Sequence, residues 1–317
     1  MESARRLQRV IVVPRNGYAN RLQAWASSSI VAERLNAQLQ VALEPESVAP
    51  AEATDLFADA LRDDSFISPS QVAELLGRPH KDMPRYLTVD PDQGFAFLAG
   101  HDRGEQRFMP DLQEILETTA GVSTLVIVAG GKFHLPGESD FSSKRCRFYS
   151  SIDWHTAIQE RVQRHLATSD RYLGLHIRQT DRSRDAPTPG AIQEALVRLT
   201  KLTGVTDLFI AADTPSARAE WTKRASDLGL RSWTSDATSF DRTVKQSGQD
   251  AIVDWLLLGK AEAIVYSAAS SFGQEAVLAN DRPDLAQALT APLALRVLRD
   301  TKRLATSALG RVNRRRL

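Results

Sequence analysis

The sequence predicts an α/β protein built on parallel sheets, and three observations carry that reading. The opening segment reads strand, turn, helix, strand, which is a βαβ unit with a right-handed crossover. From Arg171 onward, short β-branched runs alternate regularly with stretches of helical period. The 317 residues are too many for one small core and suit one large α/β domain or two of about 150 residues each.

The elements follow in order. Residues 9–13 are β-branched and bounded by Pro14, and Arg15 to Ala19 make a turn. Asn20 is placed as the N-cap of a helix in which Leu22, Trp25, Ala26, Ser29 and Ile30 recur at helical spacing as far as Leu35. A second strand covers 38–43. Between 44 and 120 the pattern weakens. Two acidic-apolar stretches, 51–62 and 70–77, predict short helices, and Pro79, Pro84, Pro91 and Pro110 with Gly94, Gly100 and Gly104 mark loops. A buried strand covers 125–129 and stops at Gly130-Gly131. The polar interval 132–150 reads as a loop, followed by a helix over 154–167. Beyond a boundary near 168 come a strand at 172–177 and a helix at 189–202 with Ile192, Leu196 and Leu199 on one face. Further on lie a strand at 207–212, helices at 215–228 and 250–261, a strand at 263–266 and a helix over 270–278. A terminal helix over about 284–308 completes the chain.

Composition excludes several classes. Hydrophobic residues make up 42% and charged residues 25%, so disorder is not the dominant state. The single cysteine, Cys146, excludes a disulfide scaffold and a cysteine-cluster zinc site. Forty basic and 39 acidic residues nearly cancel, so no whole-chain field points to nucleic acid. The balance is uneven along the chain. Between Arg296 and Leu317 there are eight basic residues and one acidic one, Asp300, while the other 295 residues hold 32 basic and 38 acidic. Such a tail suits peripheral contact with an anionic membrane surface, or a solvated helix end. Residues 1–9 are polar and 10–14 form too short an apolar run for a signal peptide. No stretch approaches the roughly 20 apolar residues that span a bilayer. The expected location is the cytoplasm, with possible contact at the inner membrane face.

In open parallel sheets, ligands sit at the carboxyl ends of the strands. Four strand ends carry polar groups. Arg15-Asn16-Gly17-Tyr18-Ala19-Asn20-Arg21 leads into a helix N-terminus, which offers N–H groups and a positive dipole to an anion. It lacks the G-x-G-x-x-G pattern of dinucleotide folds, and an ordinary βα turn fits it too. His176-Ile177-Arg178-Gln179-Thr180-Asp181 follows a buried strand. Arg178 can grip phosphate through its planar fork or pair with Asp181, and His176 on the same face is a ligand contact or a buried structural histidine. Asp213 ends a third strand, as a helix cap or as an acceptor for a ligand's N–H groups. Ser267-Ala268-Ala269-Ser270-Ser271-Phe272-Gly273 runs from a strand into a serine-rich helix start, either a cap or a phosphate cradle.

Together these segments resemble the fucosyltransferases, a group that includes the core and Nod-factor α-1,6-fucosyltransferases and the protein O-fucosyltransferases. Asn16-Gly17-Tyr18-Ala19-Asn20-Arg21-Leu22 is similar to their G-x-G-N-R-L segment, and His176 to Asp181 to their H-x-R-R-x-D segment. Residues 208–213 resemble their third segment. Asp254-Trp255-Leu256-Leu257-Leu258 with residues 267–272 resembles their closing D-x-x-x-L and S-x-x-S-x-F segments. The order is that of the family, and 44–165 offers no match.

The resemblance implies a GT-B-like fold, two Rossmann-like doubly wound domains facing a cleft. Residues 1–168 would be the acceptor side, 169–283 the nucleotide-sugar domain, and 284–317 a terminal helix and tail. It implies an inverting glycosyltransferase that moves a sugar, fucose from GDP-fucose, to a hydroxyl of a glycan, glycolipid or other acceptor, with no metal and no cofactor. Arg178 would bind the β-phosphate, His176 would support the nucleotide, and Asp213 would accept from the guanine edge. Ser270, Ser271 and Phe272 would line the pocket, and Gly17, Asn20 and Arg21 would reach it from the first domain. A fixed guanidinium and helix amides suit this chemistry, because negative charge builds on the departing diphosphate.

The sequence departs from the family pattern at three places. Gln179 stands where the second arginine is usual and carries no charge. Ala19 replaces the glycine before Asn20. Asp185 is the candidate general base, offset by one residue from the family's acidic position, although a surface carboxylate is the more ordinary reading of it. These departures support an alternative, a catalytically inactive scaffold of the same fold that binds a GDP-sugar or glycan.

Overall fold

The computed structural model describes residues 7–58, 64–83, 87–100, 112, 121–134, 137–179, 185–241, 243–280 and 285–294. The chain divides into two compact units. Unit 1 runs to Gln163 and takes in Ala237–Val253, and unit 2 comprises Arg164–Asp236 with the chain from Asp254 onward. Asp181, the proposed terminal helix beyond 294 and the basic tail lie outside the described residues.

Unit 1 carries a five-stranded sheet of order β2-β1-β5-β4-β3, formed by β1 (Arg9–Pro14), β2 (Gln38–Val41), β3 (Thr88–Asp90), β4 (Phe95–Ala99) and β5 (Thr124–Ala129). All neighbours pair in parallel except β3 with β4. The strands β1, β4 and β5 are apolar on both faces, as expected of a parallel sheet covered on both sides. Val10, Val12, Leu98, Leu125 and Ile127 fill the core on one face, and Ile11, Val13, Phe97 and Val126 fill the other. Each such side chain contributes about 1.5–3 kcal/mol on burial. The helices are α1 (Tyr18–Leu35), α2 (Ala53–Leu56), α3 (Pro69–Leu75), α4 (Phe141–Ser150) and α5 (Thr156–Leu166).

Unit 2 carries a five-stranded parallel sheet of order β10-β9-β6-β7-β8. Its strands are β6 (Leu173–Ile177), β7 (Asp207–Ala212), β8 (Arg231–Trp233), β9 (Ala263–Ser267) and β10 (Ala286–Leu289). The helices are α6 (Pro189–Thr203), α7 (Pro215–Asp227), α8 (Lys245–Lys260, which begins in unit 1) and α9 (Ser271–Leu278). Both α6 and α7 start with a threonine N-cap followed by proline. Thr188 accepts from the Ala191 amide and Thr214 from the Ala217 amide, which satisfies two orphan donors. Gly174, mid-β6, packs tightly against the end of α8 and the residue after it: a Cβ there would lie 3.1 Å from Leu258 Cδ2 and 3.0 Å from Ala261 Cβ.

The α/β class is as the sequence predicts, and several elements differ. Helix α1 begins at Tyr18 with Gly17 as N-cap, so Asn20 sits in the first turn and is not the cap. Asn16 adopts a left-handed φ of 69° and launches the helix early, with the Arg21 amide donating to the Gly17 carbonyl at 3.1 Å. Only Ala53–Leu56 of the predicted 51–62 helix is helical among the described residues. Phe57 is extended and bridges Trp154, drawn into an aromatic cluster with Trp25 and Phe66. The stretch read as loops at 88–99 contains β3 and β4. The polar interval 132–150 contains α4, whose polar face holds the buried Arg145 with its guanidinium 5.0 Å from the Phe141 ring. Residues 286–289, predicted to start a helix, form a strand because they pair with Ile264–Ser267 of β9.

Candidate functional site

The crevice where strand order reverses is the ligand position in doubly wound sheets. In unit 2 the reversal falls at β6: its crossover through α6 leads to β7 on one side, and β9 lies on the other. The polar residues singled out in the sequence cluster at this end of the sheet. His176 is opposite Ala211 of β7 and Tyr266 of β9 in the register. Arg178 follows at the strand's exit, and Ser270, Ser271 and Phe272 open α9 after β9.

His176 is 7% exposed. Its ring stacks on Phe272, centroids 5.0 Å apart and planes 25° from parallel. Burial, and then the nearby Arg178 guanidinium, push its pKa down to about 4, against a smaller opposing pull from Asp213. The imidazole is therefore neutral at physiological pH. Its Nδ1 is buried and meets no hydrogen-bond partner. Ser270 presents a second orphan. It is 1% exposed, occupies the N-cap position of α9, makes no side-chain cap bond, and its Oγ also meets no partner. Buried polar atoms without partners are uncommon in native folds and cost about 1–3 kcal/mol each. Eleven such atoms occur among the described residues, and these two fall at adjacent strand ends, near the N-terminus of α9 and the half-buried Arg178.

Gly273 explains how α9 reaches this position. An added Cβ would lie 2.7 Å from Tyr266 Cβ and Cδ2. Only glycine lets the first turn of α9 settle against β9 and bring Ser270 to Phe272 over the sheet edge.

Asp213 is placed differently from a side chain pointing only at solvent. Its amide donates to the Ile177 carbonyl at 3.3 Å, and its two carboxylate oxygens accept from the Gln179 amide at 3.0 and 3.1 Å. The Gln179 side chain is exposed. Asp185 is half-buried in the turn that precedes α6. Asp254, first residue of the D-x-x-x-L segment, is 7% exposed. It accepts from Ser235 Oγ and lies 3.5 Å from Arg218 of α7. The sequence contained no sign of this triad, because its three members come from three elements.

Within unit 1, polar residues also cluster at the end of β1. Arg21, expected to reach the nucleotide, is 3% exposed. Its guanidinium donates to the Asn16 carbonyl at 2.8 Å, the Glu44 carbonyl at 2.7 Å and the Glu46 carboxylate at 3.0 Å. It thereby ties the turn after β1 to the segment after β2. Arg15 pairs with Glu46 and, at 3.2 Å, with Glu44, and its Nη1 is 2.9 Å from His80 Nε2. His80 is buried, and desolvation, the largest cause, lowers its pKa. Asn20 is half-buried in the first turn of α1, and Ala19 is buried in the core. Gly17 has nothing within 4 Å of an added Cβ, so packing does not demand glycine there. A narrow apolar crevice beside this cluster is lined by Pro14, Tyr18, Leu22, Trp25 and Ile252, among others.

No group of three or more His, Cys, Asp or Glu side chains able to hold a metal occurs among the described residues. No helix among them is long and apolar enough to cross a membrane.

No family model matches the chain, and no curated protein matches its sequence. Solved structures do match. A point mutant of Arabidopsis thaliana FUT1 in complex with GDP superposes with a TM-score of 0.60 at 16% identity, over 86% of this chain and 68% of that one. NodZ α-1,6-fucosyltransferase co-crystallised with GDP gives 0.57 at 15% identity, over 86% and 93%. POFUT1 in complex with GDP gives 0.51 at 12% identity, over 89% and 98%. The fold is thus a GT-B-type α/β fold. It is the fold of the fucosyltransferases.

Proposed function

We propose that this chain is an inverting, metal-independent glycosyltransferase that moves fucose from GDP-fucose to a hydroxyl of a glycan, glycolipid or other acceptor. The observation that carries the reading is the pair of buried orphans, His176 Nδ1 and Ser270 Oγ, at the β6–β9 reversal beside Arg178. A ligand seated at this strand end would find hydrogen-bonding groups in His176 and Ser270 and positive potential in Arg178 and the α9 amides. A nucleoside diphosphate suits both. NodZ and POFUT1, which share the fold, are solved with GDP and with GDP-fucose.

In the reaction the acceptor oxygen forms a bond to the anomeric carbon as the bond from that carbon to the diphosphate oxygen breaks. GDP departs with the electron pair, and the acceptor proton passes to a base. The Arg178 guanidinium neutralises the growing charge on the diphosphate. The Ser271 hydroxyl and the α9 amides add donors to the same oxygens, and Phe272 with His176 gives an aromatic wall.

Release of GDP from GDP-fucose in the presence of acceptor glycans tests this proposal, and chelation should leave the rate unchanged. Arg178→Ala should lower kcat by about 100-fold or more; a near-normal rate overturns its role. Asp185→Asn separates a base from a surface carboxylate, since a base loses turnover at unchanged GDP affinity. The uncharged Gln179 favours a second reading, a GDP-sugar-binding scaffold, which predicts binding with no turnover for any acceptor. We also propose that residues 296–317, rich in Arg and Lys, hold the protein at an anionic membrane surface. Deleting them should abolish binding to phosphatidylserine vesicles, and unchanged binding removes the idea.

A further inference from the structure

We propose that Asp213 is a positioning residue that brackets Arg178 from both sides and so aims its guanidinium, and that it does not read the base. The inference rests on the function proposed above and replaces the base-reading role that the family resemblance implies for this residue.

The argument starts with the end of the sheet. The β6–β7 pairing runs from Leu173 opposite Leu208 to Ile177 opposite Ala212. One residue further, the Asp213 amide donates to the Ile177 carbonyl at 3.3 Å. There the ladder stops, and the next outward backbone donor on the β6 side is the Gln179 N–H. It is met by the side chain of Asp213 instead of a strand, through both carboxylate oxygens at 3.0 and 3.1 Å. A hydrogen bond to an ionised acceptor is about twice as strong as a neutral one. The residue before Arg178 and the residue after it are therefore both fixed to one residue, Asp213.

Arg178 stands at the only position between these two anchors. A long, rotamer-rich side chain on a loose strand exit would have to be ordered whenever a ligand binds. Anchoring its backbone on both sides removes part of that ordering from the binding step, which is how preorganised charge acts in catalysis. The position of Asp213 also explains why an aspartate suits this strand end. The carboxylate reaches the amide across the strand pair, and asparagine retains one oxygen that can do the same.

The test uses the full chain with three variants, Asp213→Asn, Asp213→Ala and Asp213→Glu. Four readouts are taken: kcat and KM for GDP-fucose separately, affinity for GDP against ADP, affinity for guanosine, and hydrogen exchange at the Gln179 amide. Positioning predicts that Asp213→Ala lowers kcat about 100-fold and weakens GDP and ADP by the same factor. Guanosine affinity should not change, and the Gln179 amide should exchange at least tenfold faster. Asp213→Asn should restore kcat to within about tenfold of wild type. A selective loss of GDP over ADP, or an Asp213→Asn variant as inactive as Asp213→Ala, overturns the inference in favour of base reading. Unchanged Gln179 exchange in Asp213→Ala overturns it whatever the nucleotide results. Wild-type protein that binds no GDP is a different failure. It defeats the proposed function itself, and this inference falls with it.

Discussion

The imidazole of His176 lies stacked on the ring of Phe272, 5.0 Å between centroids, so the last strand residues of β6 and the first turn of α9 share one aromatic contact. That contact excludes water from the ring, and it is the burial that keeps the imidazole neutral, with its pKa near 4. A neutral histidine with an unmet Nδ1 is a hydrogen-bonding group in a dry setting, which strengthens any bond a ligand makes to it.

A pH dependence of stability follows. The folded-state pKa of His176 is depressed below the ordinary value of 6.5, to about 4, so the unfolded chain binds the extra proton between those two values. Stability is complete above about pH 6.5 and falls as the pH drops towards 4, by roughly 3 kcal/mol from this group. His176→Phe keeps the stacking and removes the titration. Urea unfolding at pH 7.5 and pH 4.5 should show a smaller acid loss in the variant. An identical loss in both proteins refutes the assignment. His80, also depressed, remains in both and cancels.

Gly273→Ala should displace the start of α9, since its Cβ would sit 2.7 Å from Tyr266 Cβ. The expected stability loss is about 1–3 kcal/mol, measured by chemical denaturation. GDP affinity should fall by about tenfold or more, a larger effect than the stability loss alone produces in a protein that is still folded at the assay temperature. Wild-type affinity in the variant would show that the seat of α9 does not position the site.

Arg21→Ala should act on unit 1 through structure. Its guanidinium satisfies two carbonyls and a carboxylate from a nearly buried position. Removal leaves Glu46 with a lost partner and two backbone acceptors unmet, at a cost of about 3 kcal/mol. Arg21→Lys should recover only part, because a point charge cannot serve three diverging acceptors. Thermal or urea melts decide this, and a melting curve unchanged in Arg21→Ala refutes it.

Asp250, 3% exposed, accepts from Arg161 at 2.8 Å, from the Thr238 and Ser239 amides at 3.0 and 3.2 Å, and from Gln246 at 3.0 Å. It anchors the start of the 237–253 segment to α5 within unit 1. Asp250→Ala should destabilise by about 3–5 kcal/mol, as breaking a buried pair does. Limited proteolysis should then cut first within 237–244. Cleavage at the wild-type rate would show that this anchor is not what holds the segment.

Much of the fold was legible because its signals are local. The β-branched runs of β1, β5, β6, β7 and β9 and the capped periodic helices α6 and α7 each declare themselves within about ten residues. The motif positions His176, Arg178, Ser270 and Phe272 were legible for the same reason, as polar groups at the ends of apolar runs. What was not legible depended on partners far away in the chain. β10 is a strand because β9 offers it an edge, and Phe57 leaves its helix because Trp25, Phe66 and Trp154 surround it. The helix α4 is polar by composition and is held by packing against α1.

The order of strands and helices, the apolar strand interiors and the polar residues at their carboxyl ends were contained in the sequence itself, since periodicity and side-chain chemistry are properties of neighbouring residues. Only the tertiary structure decided which of those polar groups have partners. Arg21 and Asp213 turn out to bind backbone groups from other segments, while His176 Nδ1 and Ser270 Oγ do not. The reason is physical: hydrogen-bond satisfaction of a buried atom depends on what the fold brings within about 3 Å of it, and no local pattern encodes that.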